Sequence, residues 1–86
     1  MNSANTTITL PCSLNNRNAL SLIRGITHLK SIIVFIKNGR SAQAKSLLGL
    51  LSLCCHQGEM VEIVCMSRDS DVERDLQEVV EVLKRL

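Results

Sequence analysis

The sequence predicts an α+β fold, an open-faced β-sandwich in which a four-stranded antiparallel sheet carries three helices on one face. Short β-branched runs alternate with helical patterns in the order βαββαβα. Only a hairpin and helical crossovers connect the strands, which favours antiparallel pairing within one sheet. A chain of 86 residues has room for one small core, so we expect residues 1–86 to form a single domain.

The first strand and the first helix follow from short-range patterns. Thr6–Leu10 (TTITL) alternates in the manner of a strand, and Pro11 ends it. A polar loop follows, and Asn15 or Asn16 is placed to cap a helix. Apolar residues then recur at helical spacing: Ala19, Leu22, Ile23 and Ile26.

The middle of the chain predicts a hairpin and a short helix. Ile32–Lys37 (IIVFIK) is β-branched and aromatic, as in a strand. The dipeptide Asn38-Gly39 is a strong hairpin signal, so Arg40–Ala44 is the predicted return strand. A helix is expected over residues 47–53, with Ser46 as its N-cap.

The last two elements are a strand and a long helix. Met60–Met66 (MVEIVCM) is the predicted fourth strand. Ser70–Glu73 (SDVE) has the pattern of a capping box, which predicts that Ser70 caps the helix. An apolar stripe follows at helical spacing: Val72, Leu76, Val79, Val80 and Leu83.

Strand alternation divides the sheet into two apolar faces. One set should meet the helices: Ile33, Phe35, Val61, Ile63 and Cys65. The other set points away from them: Ile32, Val34, Ile36, Val64 and Met66. The open side of such a sandwich is ordinarily polar. We therefore expect it to be covered, by self-association into a homodimer or by another partner.

Charge is distributed unevenly along the chain. Residues 1–58 hold six basic and no acidic residues, whereas residues 59–86 hold four basic and eight acidic ones. A one-signed region favours anionic partners. Phe35 is the only aromatic residue, which argues against binding nucleic acid by base stacking. Acidic protein surfaces or phosphate are the expected partners, with no direct nucleic acid contact.

Residues 1–10 lack the pattern of a secretory signal, and no apolar run approaches the roughly 20 residues of a spanning helix. We expect a cytoplasmic protein without membrane insertion. Cys54, Cys55 and His56 are contiguous, which does not match the usual spacing of zinc ligands. Adjacent cysteines are also unsuited to an ordinary disulfide. We therefore expect four free thiols, no metal site and no cofactor.

Residues 38–53 (NGRSAQAKSLLGLLSL) closely resemble the regulatory-serine motif of HPr, the phosphocarrier family of the bacterial sugar phosphotransferase system. The resemblance covers nearly the whole chain, and the fold of that family agrees with the element order predicted above. Cys54 departs from the small or acidic residue usual at the end of the motif. By resemblance, Ser46 is a phosphorylation site.

The histidine motif of that family is altered here. A phosphocarrier has a run like Gly-aliphatic-His-small-Arg-Pro, whereas residues 13–18 read SLNNRN, in which Leu14 and Arg17 fit. The resemblance places Asn15 at the phosphohistidine position. An amide nitrogen is delocalised into its carbonyl and is not a nucleophile. Histidine-dependent phosphoryl transfer is therefore expected to be absent, and with it any enzymatic role.

The pattern is similar to the histidine-less catabolite-repression HPr-like subclass. This resemblance implies carbon catabolite regulation, with Ser46 modified by HPr kinase/phosphorylase and the product contacting a catabolite-control transcription regulator. Phosphate on Ser46 would fall among basic residues, beside leucines that cannot all face the core. The expected partner-binding residues are Arg17, Lys45, Leu47, Leu48 and Leu51.

Two other interpretations remain open at this point. The chain is alternatively a diverged phosphotransferase-system component for sugar transport, or an assembly module without Ser46 signalling. A phosphocarrier that uses another histidine would need His28 or His56. Neither is predicted to lie at a helix N-terminus.

Overall fold

Seven elements follow the predicted order in a computed structural model that describes all of residues 1–86. They are β1 (Asn2–Thr9), α1 (Asn16–Ile26), β2 (Ile32–Lys37), β3 (Arg40–Gln43), α2 (Leu47–Ser52), β4 (Met60–Ser67) and α3 (Val72–Lys84). The strands form one sheet in the order β1-β4-β2-β3, and all neighbouring pairs are antiparallel. The helices contact one another and one face of the sheet. The predicted open-faced sandwich is confirmed.

The core lies between the sheet and the helices. The inner face of β2 and β4 supplies the predicted set, all at most 3% exposed: Ile33, Phe35, Val61, Ile63 and Cys65. The apolar faces of α1 and α3 close the core with Ala19, Leu22, Ile26, Val72, Leu76, Val79, Val80 and Leu83. Both faces match the spacing read from the sequence.

Gly25 sets how closely α1 approaches α3. A Cβ atom at this position would lie 2.8 Å from Cγ1 and 3.0 Å from Cγ2 of Val82. Val82 is itself buried and β-branched, so its side chain has little freedom to move aside. A glycine weakens a helix, but here, in the last turn of α1, it permits close helix packing.

The hairpin between β2 and β3 has the predicted turn. Asn38 and Gly39 both have positive φ, +52° and +76°, as a two-residue type I′ turn requires. Cys54, which follows the end of α2, also has a positive φ of +52°. Its position at the C-terminus of a helix is one that glycine usually occupies.

Element boundaries differ from the predictions by one to four residues. β1 begins at Asn2 rather than Thr6, because it pairs with the whole length of β4, ending with Asn2 opposite Ser67. That pairing also carries β4 one residue past Met66. β3 ends one residue earlier than predicted, at Gln43, and α2 ends one residue earlier, at Ser52.

The predicted capping box at Ser70 is wrong. Asp71 is the N-cap of α3, and its carboxylate accepts a hydrogen bond from the amide of Arg74 at 3.2 Å. Ser70 belongs to the preceding turn, where its own amide donates to Oγ of Ser67 at 2.9 Å. The helix therefore starts one residue later, and its third residue is Arg74 rather than Glu73.

Candidate functional site

Ser46 caps α2, as predicted, and its side chain is exposed. Its backbone is extended, with φ −102° and ψ +112°, and its carbonyl accepts from the amide of Leu50 at 2.9 Å. Its hydroxyl oxygen accepts a hydrogen bond from the amide of Gly49 at 3.1 Å. The hydroxyl is the acceptor in that bond, so its own proton remains available for donation. The oxygen is therefore accessible from solvent as an acceptor of a phosphoryl group.

Gly49 keeps α2 close to β3 beneath this hydroxyl. A Cβ atom on Gly49 would lie 3.1 Å from Cβ of Ala42 and 3.1 Å from Oγ of Ser46. Both contacts are tighter than ordinary van der Waals distances. Because Gly49 has no side chain, α2 can pack closely on β3, and the Ser46 side chain has room beside it.

The leucines of α2 divide between core and solvent. Leu50 is fully buried, whereas Leu48 is 81% exposed. Leu47 and Leu51 are partly buried and pack against the edge of the core. One leucine therefore projects fully into solvent two residues after Ser46, and two others present part of their surface.

Lys45, beside Ser46, is tied to the loop that follows α1. Its ammonium donates a hydrogen bond to the backbone carbonyl of Leu29. Arg17 is exposed in the first turn of α1, at the other end of that helix. Because α1 has 11 residues, its axis is about 16 Å long. The two cations therefore mark opposite ends of α1 and do not form one cluster around Ser46.

Asn15 is the N-cap of α1. Its side-chain oxygen accepts a hydrogen bond from the amide of Asn18 at 2.8 Å, and its backbone is extended. The side chain of Asn18 in turn donates to the carbonyl of Ser13 at 2.8 Å. Asn15 thus has a structural task at the helix start. Its amide nitrogen has no lone pair free for covalent chemistry.

The loop that contains His56 lies against this helix start, a relationship that the sequence did not reveal. The carbonyl of Cys55 accepts from the amide of Leu14 at 2.9 Å, and the amide of Gln57 donates to Oγ of Ser13 at 2.9 Å. His56 is exposed between these two contacts. No local motif signals this pairing, because it joins segments about forty residues apart.

Two side-chain contacts join the two charge regions, and the contact between Lys37 and Glu59 is an ion pair. His28, just after α1, contacts the carboxylate of Glu78 on α3 at 3.0 Å. Lys37, only 10% exposed, contacts Glu59 at 2.9 Å and also donates to the carbonyls of Leu53 and Cys54. The hydrogen bond from Lys37 lowers the pKa of Glu59. One basic charge of residues 1–58, on Lys37, is therefore neutralised within the fold by one acidic charge of residues 59–86, on Glu59.

The four cysteines are free thiols in different environments. Cys54 is exposed, whereas Cys55 and Cys65 are buried. Burial, with a smaller contribution from the nearby charge of Asp75, raises the pKa of Cys65 to about 11. Burial also raises the pKa of Cys55. No group of three or more histidine, cysteine or acidic side chains is arranged to hold a metal ion.

The four-stranded antiparallel sheet with three helices in the order βαββαβα is the fold of the small HPr phosphocarrier proteins. The family model described as the PTS HPr component phosphorylation site matches residues 2–85. The chain therefore belongs to the HPr family of the phosphotransferase system. None of its helices is long and apolar enough to cross a membrane.

Several solved structures are similar to this chain. The phosphocarrier protein HPr from Bacillus anthracis str. Ames is 24% identical, with a TM-score of 0.85, over 96% of this chain and 99% of that one. An HPr dimer from Thermoanaerobacter tengcongensis is 25% identical, with a TM-score of 0.71, over 80% and 77%.

A third similar structure is Crh, the catabolite repression containing protein of Bacillus subtilis, described as a swapped, intertwined dimer. It is 23% identical to this chain, with a TM-score of 0.75, over 91% of this chain and 87% of that one. At this identity the likeness shows the fold alone.

Proposed function

We propose that this chain is a cytoplasmic, single-domain, histidine-less regulatory member of the HPr family that acts through phosphorylation of Ser46. The observation that carries this proposal is the exposed Ser46 hydroxyl at the start of α2, within a sequence that closely resembles the family's regulatory-serine motif. Asn15, at the position of the phosphohistidine by resemblance, caps α1 and has no nucleophilic ring nitrogen. Ser46 and Asn15 together fit regulation by phosphorylation and do not fit phosphoryl transfer through a histidine.

The kinase step is a transfer of the γ-phosphoryl group of ATP to the Ser46 oxygen. The P–O bond to ADP breaks, a P–O bond to Oγ forms, and the hydroxyl proton leaves to a base of the kinase. HPr kinase/phosphorylase is the proposed enzyme. The exposure of Ser46 supports access, because the hydroxyl is reachable without unfolding α2.

The modified surface then offers a partner both charge and apolar contact. Phosphate adds about 1.5 to 2 negative charges at neutral pH. Leu48 is exposed beside it, with parts of Leu47 and Leu51 on the same short helix. Lys45, tied to the loop after α1, lies next to the phosphate in sequence. A catabolite-control transcription regulator is the proposed partner, and Arg17 would extend the contact along α1.

Treatment with HPr kinase and ATP tests this proposal. Mass spectrometry is expected to show one phosphate per chain, located on Ser46. Ser46→Ala should remain unmodified, whereas Ser52→Ala should be modified like the wild type. Ser52 is a matched control because it is exposed on the same helix, where its hydroxyl donates to the carbonyl of Gly49. Absence of phosphate on Ser46 would contradict the proposal.

A second candidate function is phosphoryl transfer through His56. The loop of His56 bonds to Ser13 and Leu14, so this exposed imidazole lies beside the start of α1, close in the fold to Asn15. A neutral imidazole nitrogen could attack the phosphorus of a phosphohistidine donor, whose own P–N bond would break and return the electron pair to the donor ring. Enzyme I with phosphoenolpyruvate would then produce an acid-labile adduct on His56.

A further inference from the structure

β1 is a free edge of the sheet, because the strand order is β1-β4-β2-β3. Its eight residues pair with β4 without interruption, beginning with Asn2 opposite Ser67. Along an antiparallel pair, the backbone groups of successive residues point alternately toward the partner strand and away from it. The amide of Leu10 donates to the carbonyl of Glu59 at 2.9 Å, so Leu10 faces the β4 side, as does every second residue before it.

The intervening residues of β1 therefore direct their amides and carbonyls away from the sheet. They are Ser3, Asn5, Thr7 and Thr9, and their side chains are exposed as well. None of the 14 backbone hydrogen bonds outside the helices and strands involves any of them. The free edge of β1 thus presents a regular row of backbone donors and acceptors that have no partner within the chain.

The two edge strands differ in how they are protected. Edge strands commonly avoid pairing with another chain by being short, charged, interrupted by proline or covered by another element. β3 has only four residues, begins with Arg40 and contacts α2, and the carbonyl of Gln43 accepts from the amide of Ser46 at 3.0 Å. β1 is twice as long and has no charged residue and no proline, and its residues 6–9 are all β-branched. β1 is therefore the edge that can receive another strand.

The spacing of these outward groups matches a second copy of β1. When two copies run antiparallel about a twofold axis at Thr6, Ser3 lies opposite Thr9 of the second copy, and Asn5 lies opposite Thr7. In this register every outward amide and carbonyl of both strands is paired. All opposed side chains are neutral, so no like charges meet across the contact. We propose that the free edge of β1 pairs with the same edge of a second copy, joining two sheets into one.

The charged groups nearest this contact are kept apart. Glu62 lies one strand in from the edge, and its carboxylate accepts from the side chain of Asn5 at 3.2 Å. Three strand spacings separate the two copies of Glu62, so their backbones are at least about 14 Å apart and salt screens most of the repulsion. α3, which contacts β1, carries Glu73 and Asp75 in its first turn and begins just after the Ser67 end of β4. Antiparallel pairing places the two acidic helix starts at opposite ends of the joined strands.

The outer face of the sheet, which the sequence predicts to be covered, is a separate surface. Ile32 and Met60 are 47% and 64% exposed there, and the three helices lie on the other side. Pairing of the β1 edges leaves this face open.

Sedimentation equilibrium at chain concentrations up to about 1 mM tests the proposal. The average mass should rise from the 9.5 kDa of one chain toward twice that value. Thr7→Pro removes an outward amide and leaves the hydrogen bonds to β4 in place, so it should keep the mass at one chain. Ser41→Pro is the matched control, since its amide points outward from the β3 edge, and it should associate like the wild type. Circular dichroism checks that both variants retain the fold.

Two double variants test the register without a proline. Ser3 and Thr9 are exposed and lie opposite each other in the proposed pair. Ser3→Lys/Thr9→Lys opposes like charges and should raise the dissociation constant of the dimer about twofold to thirtyfold. Ser3→Glu/Thr9→Lys opposes unlike charges and should lower the dissociation constant by a similar factor.

Three results would overturn the proposal. The first is a wild-type mass that stays at one chain up to the highest concentration. The second is a folded Thr7→Pro variant that associates like the wild type, because the contact would then lie elsewhere. The third is an equal dissociation constant in the two double variants, because Ser3 and Thr9 would then not be opposed.

Discussion

The hydroxyl of Ser31 donates a hydrogen bond of 2.5 Å to the carboxylate of Asp75 inside the protein. Both residues are buried, at 2% and 4% exposure, and they are the only polar residues among those classed as buried. The bond joins the segment before β2 to the first turns of α3.

The hydrogen bond between Ser31 and Asp75 should appear as an energetic coupling between substitutions at the two positions. Ser31→Ala leaves a buried carboxylate without its hydrogen bond, which is expected to lower the free energy of unfolding by about 1–3 kcal/mol. The double variant Ser31→Ala/Asp75→Leu should lose less than the sum of the single variants. Urea denaturation of the four proteins measures this coupling. Strict additivity would show that the two side chains do not interact.

Gly25→Ala should destabilise the protein, although alanine normally strengthens a helix. The added methyl group would meet Cγ1 of Val82 at 2.8 Å, and overpacking of this kind costs about 1–3 kcal/mol. Val82→Ala in the same chain should recover part of the loss, because it removes the two clashing carbons. Thermal denaturation measures both effects: the midpoint should fall in Gly25→Ala and rise again in part in the double variant Gly25→Ala/Val82→Ala. An increase in stability with Gly25→Ala alone would contradict the close helix contact.

Cys54→Gly should stabilise the protein. Cys54 has a φ of +52° at the end of α2, where a side chain costs about 1 kcal/mol or more and glycine is unstrained. Its carbonyl would still accept from Lys37, so the local contact is preserved. Cys54→Ala is the control, since it removes the thiol but keeps the Cβ. Equal stability of the glycine and alanine variants would rule out backbone strain as the cause.

Stability should fall in acid partly through Glu59. Because Lys37 lowers the pKa of Glu59 in the folded chain, the carboxylate favours folding above the ordinary glutamate pKa, about 4.3. This contribution is lost as the pH falls through the lower pKa of the folded state. Urea denaturation gives the free energy of unfolding at about pH 7 and at about pH 3. Glu59→Gln and Lys37→Met should each reduce the difference between these two values. If both variants kept the wild-type difference in the free energy of unfolding, the ion pair between Lys37 and Glu59 would not be a cause of the loss of stability in acid.

Patterns local in sequence predicted most of the fold. Strand alternation identified the buried set around Phe35 and Ile63, and the Asn38-Gly39 turn matched the observed positive φ angles. Ser46 was correctly predicted as the cap of α2. These features depend on neighbours within a few residues, which a sequence displays directly.

Relationships between distant segments were not predictable in the same way. Three features depend on tertiary packing: the full length of β1, the bond between Ser31 and Asp75, and the contact of Gly25 with Val82. The position of His56 beside the start of α1 depends on the pairing of two loops. The cap at Asp71 was missed because Ser70 offered an equally plausible local pattern.

The central claim is that this chain responds to phosphate at Ser46 and does not relay it through a histidine. Parallel incubations, with HPr kinase and ATP and with Enzyme I and phosphoenolpyruvate, followed by phosphopeptide mapping before and after acid treatment, test it directly. The expected result is an acid-stable phosphate on Ser46 and no acid-labile phosphate. An acid-labile phosphate on His56, or an unmodified Ser46, would contradict the account.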